Sequence, residues 1–168
     1  GMTTLTWDRH RGHAWSYDVV DLGYNYRIDE LRAALGKVQL GKLPANNERR
    51  RHLTQIYREA LQELAPQVTV PFERHAGISA AHLMPALLPR MTDRPGFMES
   101  MKSQGIQTSI HYPPIHTFTA YDGGKAKPFL PNTEDIAGRE VTLPLYPGMS
   151  DEDVFTVAKA IAQALVPA

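Results

Sequence analysis

Ile28, Leu31, Leu35 and Val38, with Ala34 beside them, recur three or four residues apart. A helix brings such positions onto one face, so residues 28–43 are expected to form an amphipathic helix. Asp29 can cap it, because its carboxylate can accept from unpaired amides of the first turn. Gly41 and Pro44 read as its stop. Immediately ahead lies Gly23-Tyr24-Asn25-Tyr26-Arg27, which offers an amide, two phenols and a guanidinium beside a helix N-terminus. Those groups suit an anion such as phosphate. They also suit a surface turn with a buried tyrosine, since the loop forms no P-loop or other diagnostic anion motif.

A second helix is expected after Pro44, capped by Asn46 or Asn47. Leu53, Ile56, Tyr57, Ala60, Leu61 and Leu64 give it a wide apolar stripe, and Pro66 lies just past its end. Arg49-Arg50-Arg51 stands alone, without a flanking basic groove or aromatic platform, so it reads as a solvated helix face and not as a nucleic-acid site. Strands are expected around Val68–Val70 and over His82–Leu88. Pro85 confines the second of these to a sheet edge or a bulge, because proline donates nothing to a ladder. A helix from Pro95 to Gln104 should bury Phe97, Met98 and Met101 and end at Gly105. Ile106, Thr108 and Ile110 then alternate with Gln107, Ser109 and His111, which puts His111 on the polar face of a strand at the mouth of a proline-stiffened loop. A short helix over 132–139 and a strand over 141–145 follow. Ser150 and Asp153 have capping-box spacing, and Met149 with Val154 can form a staple across it. The last helix buries Val154, Val157, Ile161 and Leu165. Helices alternating with short strands make an α+β fold: a small, mainly antiparallel sheet covered by helices.

The chain has 168 residues, enough for one domain or slightly more, and no cysteine. Disulfides and thiolate chemistry are excluded, and a reducing cytoplasm fits. The net charge is zero, so no polyanion partner is implied. No apolar run approaches the roughly 20 residues of a membrane span, and the first residues do not form a signal peptide. His10 with His13, and His111 with His116, are the histidine pairs to weigh as metal ligands; neither has a third ligand nearby, so no metal is expected.

Three blocks add a resemblance. Gly23-Tyr24-Asn25-Tyr26-Arg27 with Ala33-Ala34 and Gln39-Leu40 resembles the "GxNYR…AA…QL" block of the DegT/DnrJ/StrS family of sugar-nucleotide aminotransferases. Gly105-Ile106-Gln107-Thr108-Ser109-Ile110-His111-Tyr112-Pro113-Pro114-Ile115-His116 is similar to that family's "GIxTxxHYPPxH" segment. Leu143-Pro144-Leu145-Tyr146-Pro147-Gly148-Met149 resembles its "LPLxPxM" segment. The blocks occur in the family's order and cover nearly the whole chain.

The resemblance implies the small C-terminal domain of a fold-type I aminotransferase, with residues 1–44 as a linking segment and 45–168 as the small domain. It implies pyridoxal phosphate as cofactor in full-length relatives, and nucleotide-linked keto sugars with glutamate as substrates. In the family the Schiff-base lysine and its acidic partner come from a large N-terminal domain, and the chain is expected to begin just after it. The six lysines, Lys37, Lys42, Lys102, Lys125, Lys127 and Lys159, all lie outside the family's lysine segment. Hence no catalytic lysine and no bound cofactor are expected here. Family dimers share active sites, so the resemblance assigns Asn25, flanked by Tyr24 and Arg27, to the cofactor phosphate of a partner subunit. It assigns His111, Tyr112 and His116 to the substrate side of the pocket. Expected partners are a second copy of the chain or a separate large-domain chain. A non-catalytic binding or dimerisation module, or one subunit of a split enzyme, is the alternative.

Overall fold

The computed structural model describes residues 18, 20–24, 26–74, 76–121 and 128–166. Their elements run α1 (Glu30–Leu64), β1 (Met84–Leu87), α2 (Arg94–Ser103), two short 3-10 turns (Ile115–Thr117 and Thr119–Tyr121), α3 (Pro131–Arg139), β2 (Glu140–Leu143) and α4 (Asp151–Ala164). The chain divides into two units, Gly1–Gly41 and Lys42–Ala168.

Helix α1 starts where its cap predicts. The Asp29 carboxylate accepts from the amide of Arg32 at 2.8 Å, and the Asp29 carbonyl accepts from Ala33 at 2.9 Å. It does not stop at Gly41. The two helices expected on either side of Pro44 are one helix of 35 residues with Pro44 inside it. Proline removes one i→i−4 bond and crowds the preceding turn. Good helix formers on both sides, and anchoring of the following turns, keep the helix continuous. Arg49 donates to the carbonyl of Met149 at 2.6 Å, and Arg50 and Arg51 donate to the carbonyls of Ala80 and Ser79, each at 3.3 Å.

In the first unit the stripe Ile28, Leu31, Leu35 and Val38 is exposed, with Leu31 at 85%. In the second unit, Leu53, Tyr57, Ala60 and Leu61 of α1 are fully buried. They join Phe97 and Met101 of α2, Val154, Val157 and Ile161 of α4, and the inward side chains of both strands in one core. Helices α2 and α4 pack on each other.

Strands β1 and β2 are antiparallel, with Met84 opposite Leu143 and Ala86 opposite Val141. These four residues are buried and form the sheet's core face. Pro85 opposite Thr142, and Leu87 opposite Glu140, lie on the other face. The amide and carbonyl of Thr142 both bond Ser109, at 2.8 and 3.1 Å, and so point away from β1. The N–H that Pro85 lacks would therefore not have joined the β1–β2 ladder.

The outer two expected strands shrink to single bridges, Thr69 with Leu87 and Ser109 with Thr142. Proline explains both. Around Thr69–Leu87 the next rungs would pair Pro71 with Pro85 and Gln67 with Pro89. The first has no donor at all and the second lacks one. Around Ser109–Thr142 one neighbouring rung would need an N–H from Pro144. The other would pair His111 with Glu140. There the Glu140 amide already closes the end of α3 on the Ile136 carbonyl, and the Glu140 carbonyl accepts from Arg94 at 3.1 Å.

Unlike Gly41 and Pro44, two other local signals act as expected. Gly105 takes the left-handed conformation (φ +77°) after α2, letting the Ile106 amide reach the Met101 carbonyl at 3.0 Å. Ser150 and Asp153 form the reciprocal capping box of α4, at 3.1 and 2.9 Å. The Ser150 amide first, and then the Ser150 hydroxyl, hold the Asp153 carboxyl below its usual range. Tyr57, fully buried, donates its phenol hydrogen to the Pro144 carbonyl at 2.8 Å and fixes the segment after β2 against α1. Burial, followed by the charges of Asp153 and Tyr146, pushes that phenol well above its ordinary value.

Candidate functional site

Residues 106–110 alternate in burial, and His111 leaves this segment half-buried on the sheet face opposite the core. It is held at two points. Its amide donates to Oε2 of Glu140 at 3.1 Å, so a carboxylate replaces the backbone acceptor that the missing rung would have supplied. Its Nδ1 lies 2.9 Å from Oγ1 of Thr142 and 3.4 Å from Oγ of Ser109. The Thr142 hydroxyl in turn donates to Oε1 of Glu140 at 2.6 Å, a bond that is itself buried. Glu140 and Thr142 are 6% and 5% exposed, the two buried polar side chains among the described residues. A carboxylate is tolerated at this depth because both oxygens accept from a donor.

The imidazole of His111 meets the ring of Tyr112 edge-on, with centroids 4.8 Å apart, while Tyr112 itself is exposed. The peptide bond between them is cis. His116 is engaged elsewhere: its side chain is only 12% exposed and its Nε2 lies 3.3 Å from Glu134 in the first turn of α3. It clasps the 3-10 turn to α3. Of the three residues expected on the substrate side, the structure brings His111 and Tyr112 into contact and ties His116 to Glu134.

Tyr24 and Arg27 lie exposed in the first unit, and the Tyr24 ring sits 5.7 Å from that of Tyr26. Asn25, the residue assigned to a cofactor phosphate, lies outside the described residues, as do His10, His13, Lys125 and Lys127. The alternative reading of this loop, a surface turn with a buried tyrosine, does not match, since Tyr24 and Tyr26 are 85% and 87% exposed.

Pyridoxal phosphate requires an amine set in a pocket, shielded from water or placed beside another cation. The described lysines do not fit. Lys37, Lys42 and Lys159 project from exposed helix positions, and the Lys102 ammonium lies 3.4 Å from Glu99 on the surface of α2. The Arg49-Arg50-Arg51 run forms no anion site either. Each guanidinium is turned to backbone carbonyls, and Arg49 also pairs with Asp151 at 2.8 Å. A hydrogen bond from His52, reinforced by Arg49, holds the Asp151 carboxyl below its usual range. No group of three or more metal-ligating side chains occurs among the described residues. None of the described helices is long and apolar enough to cross a membrane.

Two open clefts of about 500 Å³ flank the sheet. One is lined by Arg51, Arg58, Val70, Phe72 and Ile78 among others. Its arginines hold the chain itself, Arg58 through the carbonyls of Val70 and Pro71 at 3.1 and 2.8 Å. The other lies over Gln107, Thr108, Thr142 and Tyr146. Neither is lined by His111 or Tyr112, so the site is better defined by the buried Glu140–Thr142–His111 chain than by cavity size. Sequence reading found His111 from its strand position but missed Glu140 and Thr142, which lie 29 and 31 residues away. The signal was present as a polar residue at every second position of a strand, Glu140-Val141-Thr142-Leu143, that is buried throughout.

Comparison with known proteins agrees with the blocks in the sequence. Residues 1–162 match the DegT/DnrJ/EryC1/StrS aminotransferase family. The chain is 34% identical to the uncharacterized protein MJ1066 of Methanocaldococcus jannaschii over 96% of its length, covering 43% of that protein. It is 33% identical to the spore coat polysaccharide biosynthesis protein SpsC of Bacillus subtilis, with the same coverage of each. Among solved structures it superimposes on Helicobacter pylori PseC, an aminotransferase involved in the biosynthesis of pseudoaminic acid, with a TM-score of 0.79 at 27% identity, covering 89% of this chain and 41% of that one. The chain thus spans less than half the length of the relatives it matches.

Proposed function

This chain belongs to the DegT/DnrJ/EryC1/StrS aminotransferase family, matched over residues 1–162, and on that premise we propose that it is the C-terminal portion of a pyridoxal-phosphate-dependent sugar-nucleotide aminotransferase. In this reading residues 1–44 link to a lysine-bearing domain and 45–168 form the small domain. The full enzyme moves an amino group from glutamate to a keto sugar carried on a nucleotide. The cofactor, when bound, supplies the electron sink for that transfer. This chain contributes binding groups: Asn25, with Tyr24 and Arg27, toward the cofactor phosphate of a partner subunit, and His111 with Tyr112 toward the substrate. His116 acts through Glu134, holding the loop that carries them.

The observation that carries the reading is the placement of His111. The histidine of the family block is half-buried, gripped through backbone and ring, and left with one ring nitrogen free of any partner among the described residues. A histidine with no ligand to meet has little need of a buried carboxylate behind it.

Alone, the chain is proposed not to transaminate, because its described lysines all lie in open water. Pyridoxal phosphate added to the chain, reduced with borohydride and mapped by peptide mass spectrometry, should leave scattered, substoichiometric labelling. Stoichiometric labelling of a single lysine would defeat the proposal. An association role is favoured separately by the exposed stripe Ile28, Leu31, Leu35 and Val38. An uncovered row of this kind drives pairing, and its occupant is proposed to be a second copy of the chain.

A further inference from the structure

The bonds around His111 have a direction that can be read from the chemistry of each group. A backbone amide only donates, so Oε2 of Glu140 accepts from His111 at 3.1 Å. As a carboxylate, Glu140 offers only acceptors, so the Thr142 hydroxyl hydrogen points at Oε1 across 2.6 Å. A hydroxyl has one hydrogen. With it engaged by Glu140, Oγ1 of Thr142 faces Nδ1 of His111 at 2.9 Å with lone pairs alone. Nδ1 must then carry the ring proton of the neutral imidazole, because two acceptors at that distance would repel. Nε2 is left as the bare nitrogen. It has no hydrogen-bond partner among the described residues and is not among their buried, unpartnered atoms.

We infer that Glu140 and Thr142 are positioning residues that hold His111 in its Nδ1–H tautomer and so present Nε2 as a hydrogen-bond acceptor. The ligand group that fits such a nitrogen is a donor, a sugar hydroxyl or an amine, and not a phosphate or carboxylate oxygen. The ligand half of this statement rests on the proposed substrate role of His111; the tautomer half does not. A free imidazole prefers the opposite form, with the proton on Nε2, so the arrangement is a measurable departure from what histidine does unassisted. It also explains a buried acid on a sheet face opposite the core. Oε1 and Oε2 fix, respectively, the polarity of the ring contact and the position of the backbone.

The test is a long-range proton–nitrogen correlation spectrum of the histidine-labelled chain at alkaline pH, where the imidazoles are neutral. His111 is identified by the signals lost in His111→Gln. The wild-type chain should show a pyrrole-type Nδ1 and a pyridine-type Nε2. Thr142→Val, which removes the acceptor, should shift His111 toward the Nε2–H form, and Thr142→Ser, which restores a hydroxyl, should return it to Nδ1–H. A purely structural role for Thr142 predicts no change of tautomer in Thr142→Val so long as its amide spectrum stays folded. Nε2–H in the wild-type chain overturns the inference whether or not any variant folds. The spectrum needs no cofactor and no turnover. Failure of the aminotransferase reading would leave the tautomer standing, and a wrong tautomer would leave the family function standing.

Discussion

Replacing Tyr57 with phenylalanine tests how α1 is joined to the segment after β2. Tyr57 is fully buried, and its hydroxyl donates to the Pro144 carbonyl at 2.8 Å. Phenylalanine keeps the ring and its packing, so the loss is confined to one hydrogen bond and one carbonyl left without its donor. An ordinary bond contributes about 0.5–1.5 kcal/mol net, and an orphaned buried acceptor costs about 1–3 kcal/mol. Pro144 is only half-buried, so water can partly replace the phenol. The expected destabilisation is therefore about 1–2 kcal/mol. With a urea m-value of roughly 2 kcal/mol per molar, the midpoint should fall by about 0.5–1 M with m unchanged. Tyr57→Ala, which also leaves a cavity, should lose about 3–5 kcal/mol.

The pH dependence supplies a second handle on the same variant. Burial raises the Tyr57 phenol above its ordinary 10.0 in the folded chain. A raised value stabilises the fold fully below the unfolded value and less as pH climbs beyond it, because the unfolded phenol ionises and the folded one does not. Wild type should therefore lose stability above pH of about 10 through this group, and Tyr57→Phe should not. The gap between the two must narrow in alkali. A Tyr57→Phe chain as stable as wild type at neutral pH, or a gap that widens in alkali, would refute the reasoning.

Three further outcomes follow from the same structure. Ser150→Ala removes the acceptor for the Asp153 amide and should cost about 1 kcal/mol in urea unfolding at neutral pH. Because Asp153 is held below its ordinary 3.8, its contribution is present above that value and lost as pH falls through the folded value. The first cause of the low Asp153 carboxyl, the Ser150 amide, is kept in Ser150→Ala and the hydroxyl's smaller share is lost, so only that share of the deficit should disappear as pH falls through the folded value. Asp151→Asn should flatten the acid limb of the stability profile for the same reason, since the bond from His52 and the Arg49 pair hold Asp151 low. For association, Leu31→Gln with Leu35→Gln should weaken self-association by tenfold or more in sedimentation equilibrium. Covering even one leucine contributes roughly 1.5–3 kcal/mol and about 1.4 kcal/mol is a factor of ten. A wild-type chain that stays monomeric at high concentration would refute the assignment of that stripe to a second copy.

What could be read from the sequence was local. Asp29, Gly105 and the Ser150–Asp153 pair announce helix ends within three or four residues of themselves, and each does in the structure what its chemistry allows. Pro44 misled, because a proline's local effect is to break a helix, while the anchors that keep α1 continuous lie far away at Ser79, Ala80 and Met149. The outer strands misled for a related reason. Val68–Val70 and Ile106–Ile110 have strand alternation, but whether a rung forms depends on the residue opposite, and those are Pro85, Pro89 and Pro144. The site was half legible. His111 could be placed on a polar face from period alone, whereas its link to Thr142 and Glu140 required knowing which strand lies beside it. His116, read as a companion of His111, meets Glu134 because the loop turns twice through 3-10 helix before reaching α3.

The central claim is that this chain supplies part of an aminotransferase and needs a lysine-bearing domain to complete it. The direct measurement is transfer of nitrogen from labelled glutamate to a nucleotide-linked keto sugar in the presence of pyridoxal phosphate. It should be made with this chain alone, with a separately produced lysine-bearing domain of the same family alone, and with both together. Label should reach the sugar only in the mixture. Turnover by this chain alone, or none beyond the other domain's own rate when the two are combined, would contradict it.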